Sequence, residues 1–204
     1  MPQPKAVIFD VGHVLFDWHP RYLYERLIGD GQALDAFLRD VATREWHIQH
    51  DAGRPFAETS AELIAQFPDH AKLIAAWGPR FNEMLPGPIP GMIELVEELD
   101  AASVPLFAIT NFSGEFFRAF RATQEAFFAR FRDIVVSGDE RLLKPDPAIY
   151  RLALERFGLR AEEAVFVDDS LPNVEGAAAS GISAIQFVGA EPLRMELHRL
   201  GVLQ

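Results

Sequence analysis

The sequence predicts an α/β protein, a doubly wound parallel-sheet core carrying a small all-helical domain. Three observations carry this. From residue 92 onward, short apolar runs alternate with amphipathic stretches, as in a parallel sheet covered by helices on both faces. Residues 20–84 repeat their apolar side chains at helical spacing and show no strand-like alternation. Between the two regions lies Leu85-Pro86-Gly87-Pro88-Ile89-Pro90-Gly91, and three prolines with two glycines fit neither a helix nor a central strand.

Taken in order, Lys5-Ala6-Val7-Ile8-Phe9-Asp10 reads as a buried strand that ends on a carboxylate. Gly12 follows where the chain must turn. Asp17-Trp18-His19-Pro20 reads as a loop with Pro20 opening a helix. Helical faces then recur: Tyr24, Leu27 and Ile28; Leu34, Phe37, Leu38 and Val41; Ser60, Leu63, Ile64 and Phe67, before Pro68 breaks the run. Asp51-Ala52-Gly53 is a turn between two of these helices, and Leu73, Ile74 and Trp77 begin the last one.

Beyond the linker, Met92, Leu95, Val96 and Leu99 mark a helix, and residues 105–109 a strand ending in Thr110-Asn111. Gly114 to about Phe128 is expected to be helical, 134–136 a strand ending in Ser137, and 147–157 a helix. Residues 165–167 form a strand ending in Asp168-Asp169, then come a helix over 171–180, a strand over 184–187 and a closing helix over 190–200. The expected domains are a discontinuous core, 1–16 with 87–204, and a helical domain of 17–86.

Composition narrows the functional classes. The chain has 204 residues, 49% of them hydrophobic, enough for one sizeable core with a smaller insert. It has no cysteine, which removes disulfides, thiolate metal sites and thiol nucleophiles and suits the cytoplasm. The opening residues lack the pattern of a signal peptide, and no uncharged stretch reaches the roughly 18 residues that span a membrane. The net charge of −11 and the absence of a basic cluster argue against a nucleic-acid partner. A small phosphate remains possible, provided that a metal ion and a placed lysine reverse the local field.

The strand ends supply such a field. Asp10, Thr110-Asn111, the Lys144-Pro145 loop and Asp168-Asp169 all fall on one edge if the sheet is parallel. Three carboxylates in one crevice call for a cation, and hard oxygen donors favour Mg²⁺. Thr110 and Asn111, at the start of the next helix, offer donors to an anion, and Lys144 offers positive charge. Nucleophilic carboxylate, metal site, anion cradle and lysine together describe phosphoryl transfer through an aspartyl-phosphate.

At these residues the sequence resembles the haloacid dehalogenase superfamily, whose fold is a Rossmann-type core with an inserted cap. Asp10-Val11-Gly12-His13-Val14-Leu15 matches the first motif, Thr110-Asn111 the second, Lys144-Pro145 the third and Val167-Asp168-Asp169-Ser170-Leu171-Pro172-Asn173 the fourth. The resemblance implies that Asp10 attacks phosphorus while Thr110 and Lys144 grip the phosphoryl oxygens, with Asn111 assisting. It also implies that Mg²⁺ sits on Asp10, the Gly12 carbonyl and Asp169. Asp168 is then a further ligand or a holder of water, and Asn173 supports the metal loop. The 17–86 insert corresponds to the helical cap that selects substrate.

One position departs from the phosphatase pattern, which usually has a second Asp two residues after the nucleophile to protonate the leaving group. Gly12 stands there, as in related bacterial sugar-phosphate phosphatases. Glycine supplies no proton transfer, a contribution of typically about 10²–10⁴-fold. His13 next to it is either a group that titrates in the crevice or one turned away into a hydrogen bond. Trp46, His47 and His50 are the candidates to meet the substrate from the cap, although for Trp46 ordinary packing is the favoured reading. His47, His50 and Asp51 have no partner set that makes them a zinc site.

The expected activity is a Mg²⁺-dependent phosphohydrolase for a small phosphorylated metabolite such as a sugar phosphate, in a monomer or homodimer. Two alternatives stay open: a 2-haloacid dehalogenase, and a metabolite-binding member that has lost turnover with the acid at Gly12. The paired acids Asp168 and Asp169 count against the dehalogenase.

Overall fold

The structure is a computed structural model that describes residues 4–203. Five strands form one sheet: β1 (Ala6–Phe9), β2 (Leu106–Thr110), β3 (Asp133–Val136), β4 (Ala164–Asp168) and β5 (Ser183–Gln186). Their order is β3-β2-β1-β4-β5 and every pair is parallel, as the strand–helix alternation requires. Every residue of β1, β2 and β4 is buried because both faces are covered. Val7 and Phe9 join one hydrophobic cluster, Ala6 and Ile8 the other, as alternation along a strand dictates.

Register places the polar strand ends level. Phe9 pairs with Ala108 on one side and Val167 on the other, so Asp10 and Asp168 emerge side by side. The Asp10 amide donates to the Val167 carbonyl at 2.8 Å. The chain leaves β1 toward opposite sides of the sheet in β2 and β4, and a crevice opens at that reversal.

Between β1 and the next sheet helix run α1 (Arg21–Ile28), α2 (Gln32–Ala36, continued as a wide turn to Val41), α3 (Arg44–Asp51), α4 (Phe56–Gln66) and α5 (Ala71–Ala76). Thr43 caps α3 by accepting from the Trp46 amide at 3.2 Å. Tyr24, Phe37 and Trp77 pack ring against ring among these helices, and the Tyr24 hydroxyl donates to the Leu73 carbonyl at 2.9 Å.

The remaining helices are α6 (Met92–Ala101), α7 (Gly114–Thr123), α8 (Glu125–Phe128), α9 (Ser137–Glu140), α10 (Pro147–Phe157), α11 (Leu171–Ala179) and α12 (Ala190–Arg199). The helix expected over 114–128 breaks at Gln124, which leaves helical dihedrals at φ −124°. The break turns Phe127 and Phe128 onto Phe16, with ring centroids 5.2 and 5.8 Å away. Among the described residues no helix is long and apolar enough to cross a membrane.

One approach of the helical segment to the core is especially close. Gly53, at φ +90°, lies so near Gly138 that a Cβ there would sit 2.6 Å from the Gly138 carbonyl oxygen. A Cβ on Gly138 would in turn meet the Gly114 amide at 2.7 Å. Two glycines without side chains thus let the turn after α3 rest on the first turn of α9, directly after β3.

Candidate active site

Asp10 continues β1 past its last paired residue, and its Oδ1 accepts from the Val11 amide at 2.7 Å and from Lys144 Nζ at 2.9 Å. Lys144 also donates to Asp168 Oδ2 at 2.6 Å. Its ammonium group is fully buried, 5.4 Å from the centroid of the Phe166 ring. Burial disfavours that charge, but Asp10 and Asp168 more than offset it and hold the lysine above its ordinary pKa. Asp10 itself is pushed up to about 7, chiefly by burial and further by Asp168, against the pull of Lys144. The sequence makes Lys144 a partner of the phosphate. In the structure it is also the cation that allows two buried carboxylates to coexist.

Asp168 is held on every side. Its Oδ1 accepts from the Ser170 amide at 2.9 Å, and Asn173 Nδ2 lies 3.1 Å from both carboxylate oxygens. The Tyr150 hydroxyl anchors this loop by donating to the Asn173 carbonyl at 2.8 Å. Asp169 is half-buried, and burial with the adjacent Asp168 raises its pKa. Asp10, Asp168 and Asp169 each offer an oxygen within 4.8 Å of the others. These hard donors fit a magnesium-type cation, which Asp10 and Asp169 are freest to hold because Asp168 is already engaged by Lys144 and Asn173. Among the described residues, His47, His50 and Asp51 do not form such a cluster.

Asn111 lines the cavity and also holds the lysine loop. Its Nδ2 donates to the Lys144 carbonyl at 3.0 Å and its Oδ1 accepts from the Lys144 amide at 2.8 Å. Both ends of the amide clamp the lysine loop, so Asn111 acts first by placing Lys144. Thr110 is 1% exposed at the end of β2, and Asn111 and Phe112 carry the cavity wall there.

A cavity of about 810 Å³ opens above these groups, with Asp10, Gly12, Lys144 and Asp169 on its floor. That is ample for a small organic ligand. His13, at φ +59°, also lines it and meets Trp18 edge to face at 6.0 Å. The opposite wall combines the apolar Trp18, Leu38, Ile48, Trp77 and Phe81 with Thr43, Arg44 and Asp51. His47 belongs to this wall, stacked on Trp18 at 5.0 Å.

Trp46 and His50 do not line the cavity: packing, the favoured reading of Trp46, holds, whereas His50 departs from its expected place at the substrate. Trp46 is 5% exposed, donates to the Thr59 carbonyl at 3.2 Å and packs on Trp77. His50 is 1% exposed, lies 2.6 Å from Thr59 Oγ1 and packs against Phe56 and Phe116. On α3 the residues 46 and 50 share one face and 47 and 51 share the next. Packing of the indole against α4 and Trp77 turns the second face to the cavity.

The same rotation brings in Asp51, which the sequence reading placed in a turn and weighed with His47 and His50 only as a metal-like cluster. It is buried, it lines the cavity, and its backbone carbonyl accepts from Ser137 Oγ at 2.7 Å. Ser137 in turn accepts from the Phe112 amide at 2.9 Å, so one hydroxyl ties the ends of β2, β3 and α3 together. The available signal was the spacing of four residues from His47.

Comparison with known proteins agrees with this geometry. Over 197 residues the chain is 30% identical to a sesquiterpene phosphatase of Aspergillus oryzae, covering 96% of each protein. It is 28% identical to a phosphorylated carbohydrates phosphatase of Thermotoga maritima, over 90% of this chain and 85% of that one. Its fold matches a HAD family enzyme of Bacteroides thetaiotaomicron solved with magnesium and inorganic phosphate, with a TM-score of 0.67 at 22% identity over 90% of this chain and 93% of that one. The model of the haloacid dehalogenase-like hydrolases matches residues 4–181. With strand ends, lysine and paired acids arranged as described, the chain belongs to the haloacid dehalogenase-like hydrolase family.

Proposed function

We propose that this hydrolase is a Mg²⁺-dependent phosphohydrolase acting on a small phosphorylated metabolite through an aspartyl-phosphate on Asp10. The observation that carries it is the buried Asp10–Lys144–Asp168 chain opening onto the cavity floor beside Asp169. Held by Val11 and Lys144, the Asp10 carboxylate is oriented for in-line attack on phosphorus. Lys144 neutralises charge that gathers on the phosphoryl oxygens, and Asn111 fixes the loop that delivers it. Asp10, Asp169 and the Gly12 carbonyl would hold the Mg²⁺, which supplies further charge neutralisation when bound. Asp168 and Asn173 keep this arrangement rigid.

Residues 17–86 would act as the cap over a core of 1–16 and 87–204. The indole and aliphatic wall fits a phosphate ester with an apolar body better than a polyhydroxylated sugar. The relative named as a sesquiterpene phosphatase supports that choice. The relative named as a carbohydrate phosphatase keeps sugar phosphates as the second reading. A dehalogenase would have no use for the Asp168–Asp169 pair.

The test is phosphate release from farnesyl phosphate, glucose phosphates and p-nitrophenyl phosphate, with Mg²⁺ and with excess chelator. Metal-dependent release that Asp10→Asn abolishes is expected, with the prenyl ester preferred. Release that survives in Asp10→Asn overturns the nucleophile assignment.

A further inference from the structure

Asp51 is 6% exposed, yet its Oδ1 has no hydrogen-bond partner among the described residues. An unsatisfied buried carboxylate oxygen is costly to keep and calls for an explanation. Its other oxygen lies 3.5 Å from His47 Nε2. This is not an ion pair: burial, with Arg44, pushes His47 down to about 4 and leaves it neutral. Burial raises Asp51 to about 7, with the Ser113 amide and the Lys144 ammonium pulling it part of the way back.

Some charges on neighbouring elements are engaged elsewhere, while Arg44 on α3 itself lines the cavity. On α9, Asp139 and Glu140 pair with Arg118 and Arg156, and on α4 Glu62 pairs with Arg54. Asp51 therefore shares the cavity with Asp10, Lys144 and Asp169 as a carboxyl group that has no structural partner for one oxygen.

On the phosphatase reading above, we infer that Asp51 is the general acid–base of the reaction, supplied by the helical segment to do what Gly12 has no side chain to do. Protonated Asp51 gives its proton to the ester oxygen as the P–O bond to the alcohol breaks and the Asp10 oxygen bonds to phosphorus. The Asp51 carboxylate then takes a proton from water as that water attacks the phosphoryl group, which releases inorganic phosphate and restores Asp10. A group that titrates near the working pH is the most efficient for both transfers. The Ser137 bond to the Asp51 carbonyl ties the end of α3 to the end of β3.

The decisive readout is leaving-group dependence. We would measure kcat/KM with Mg²⁺ for phosphate esters graded from nitrophenol to simple alkyl alcohols, in wild type and Asp51→Asn. Expected for the variant is a loss of about 100-fold or more on alkyl esters and under about 10-fold on the nitrophenyl ester. A stoichiometric burst of nitrophenolate should also appear, because the phosphoenzyme is no longer hydrolysed quickly. Gly12→Asp added to Asp51→Asn should restore the alkyl esters at least tenfold, since a Cβ at Gly12 meets nothing within 4 Å.

Equal losses across the series, or no loss, overturn the assignment while leaving the phosphatase standing. If the variant does not fold, a steep leaving-group dependence in the wild type overturns it, and a flat one sustains it. A wild type that releases no phosphate from any ester overturns the phosphatase reading as well.

Discussion

Replacing Lys144 by Met removes the ammonium and keeps most of the volume. In the structure that ammonium bonds Asp10 at 2.9 Å and Asp168 at 2.6 Å, and all of it is buried. Removing one member of a buried ionic group leaves uncompensated charge, at a cost of about 3–5 kcal/mol. For a chain of this size each kcal/mol corresponds to roughly 2–4 °C in Tm, so the expected drop is about 6–20 °C at pH 7.5 in chelator.

The sign of the pH dependence follows from Asp10. Its folded pKa, about 7, lies above the unfolded value near 3.8, so it contributes stability that is present below the unfolded value and is lost as pH rises through the folded one. Without Lys144, which lowers it, the folded value climbs further. The deficit of the variant should then be largest above pH 7 and shrink toward pH 5, where Asp10 takes a proton. Thermal unfolding of both proteins across that range measures it. Hydrolysis should fall by about 10²–10³-fold, as when one donor to a developing oxyanion is removed. A variant within about 0.5 kcal/mol of wild type at pH 7.5, the usual range of a surface substitution, or a deficit that grows on acidification, would refute the reasoning.

Trp46→Leu should destabilise the protein by about 2–4 kcal/mol through lost packing on Trp77 and the lost bond to Thr59, with KM changed by less than about threefold; a large KM effect at unchanged stability would return the indole to the substrate site. Gly138→Ala should cost more than about 2 kcal/mol in chemical denaturation, because the new methyl meets backbone at 2.7 and 2.9 Å. Millimolar Mg²⁺ should raise the Tm of the wild type and not that of Asp169→Asn, by the linkage between binding and folding; equal shifts in the two proteins would place the ion elsewhere.

The edge that carries the chemistry was legible before any coordinates. Parallel strands end on one side of a sheet, so Asp10, Thr110, Lys144 and Asp168-Asp169 had to converge once the alternation of strand and helix was read. The roles within that cluster were less legible. That Asn111 spends both polar ends on Lys144 depends on two loops meeting across 33 residues of chain.

The helical segment shows the limit most clearly. Periodicity groups 46 with 50 and 47 with 51, since each pair is one turn apart. It does not say which pair faces the cavity, because the rotation of a helix about its axis is set by what packs against it. Trp46 wedged against Trp77, and Gly53 seated on Gly138, set that rotation for α3. The sequence by itself determined the sheet, the acidic edge where its strands end and the bare backbone at Gly12. Only tertiary packing decided that His47 and Asp51 stand over that edge while Trp46 and His50 are buried away from it.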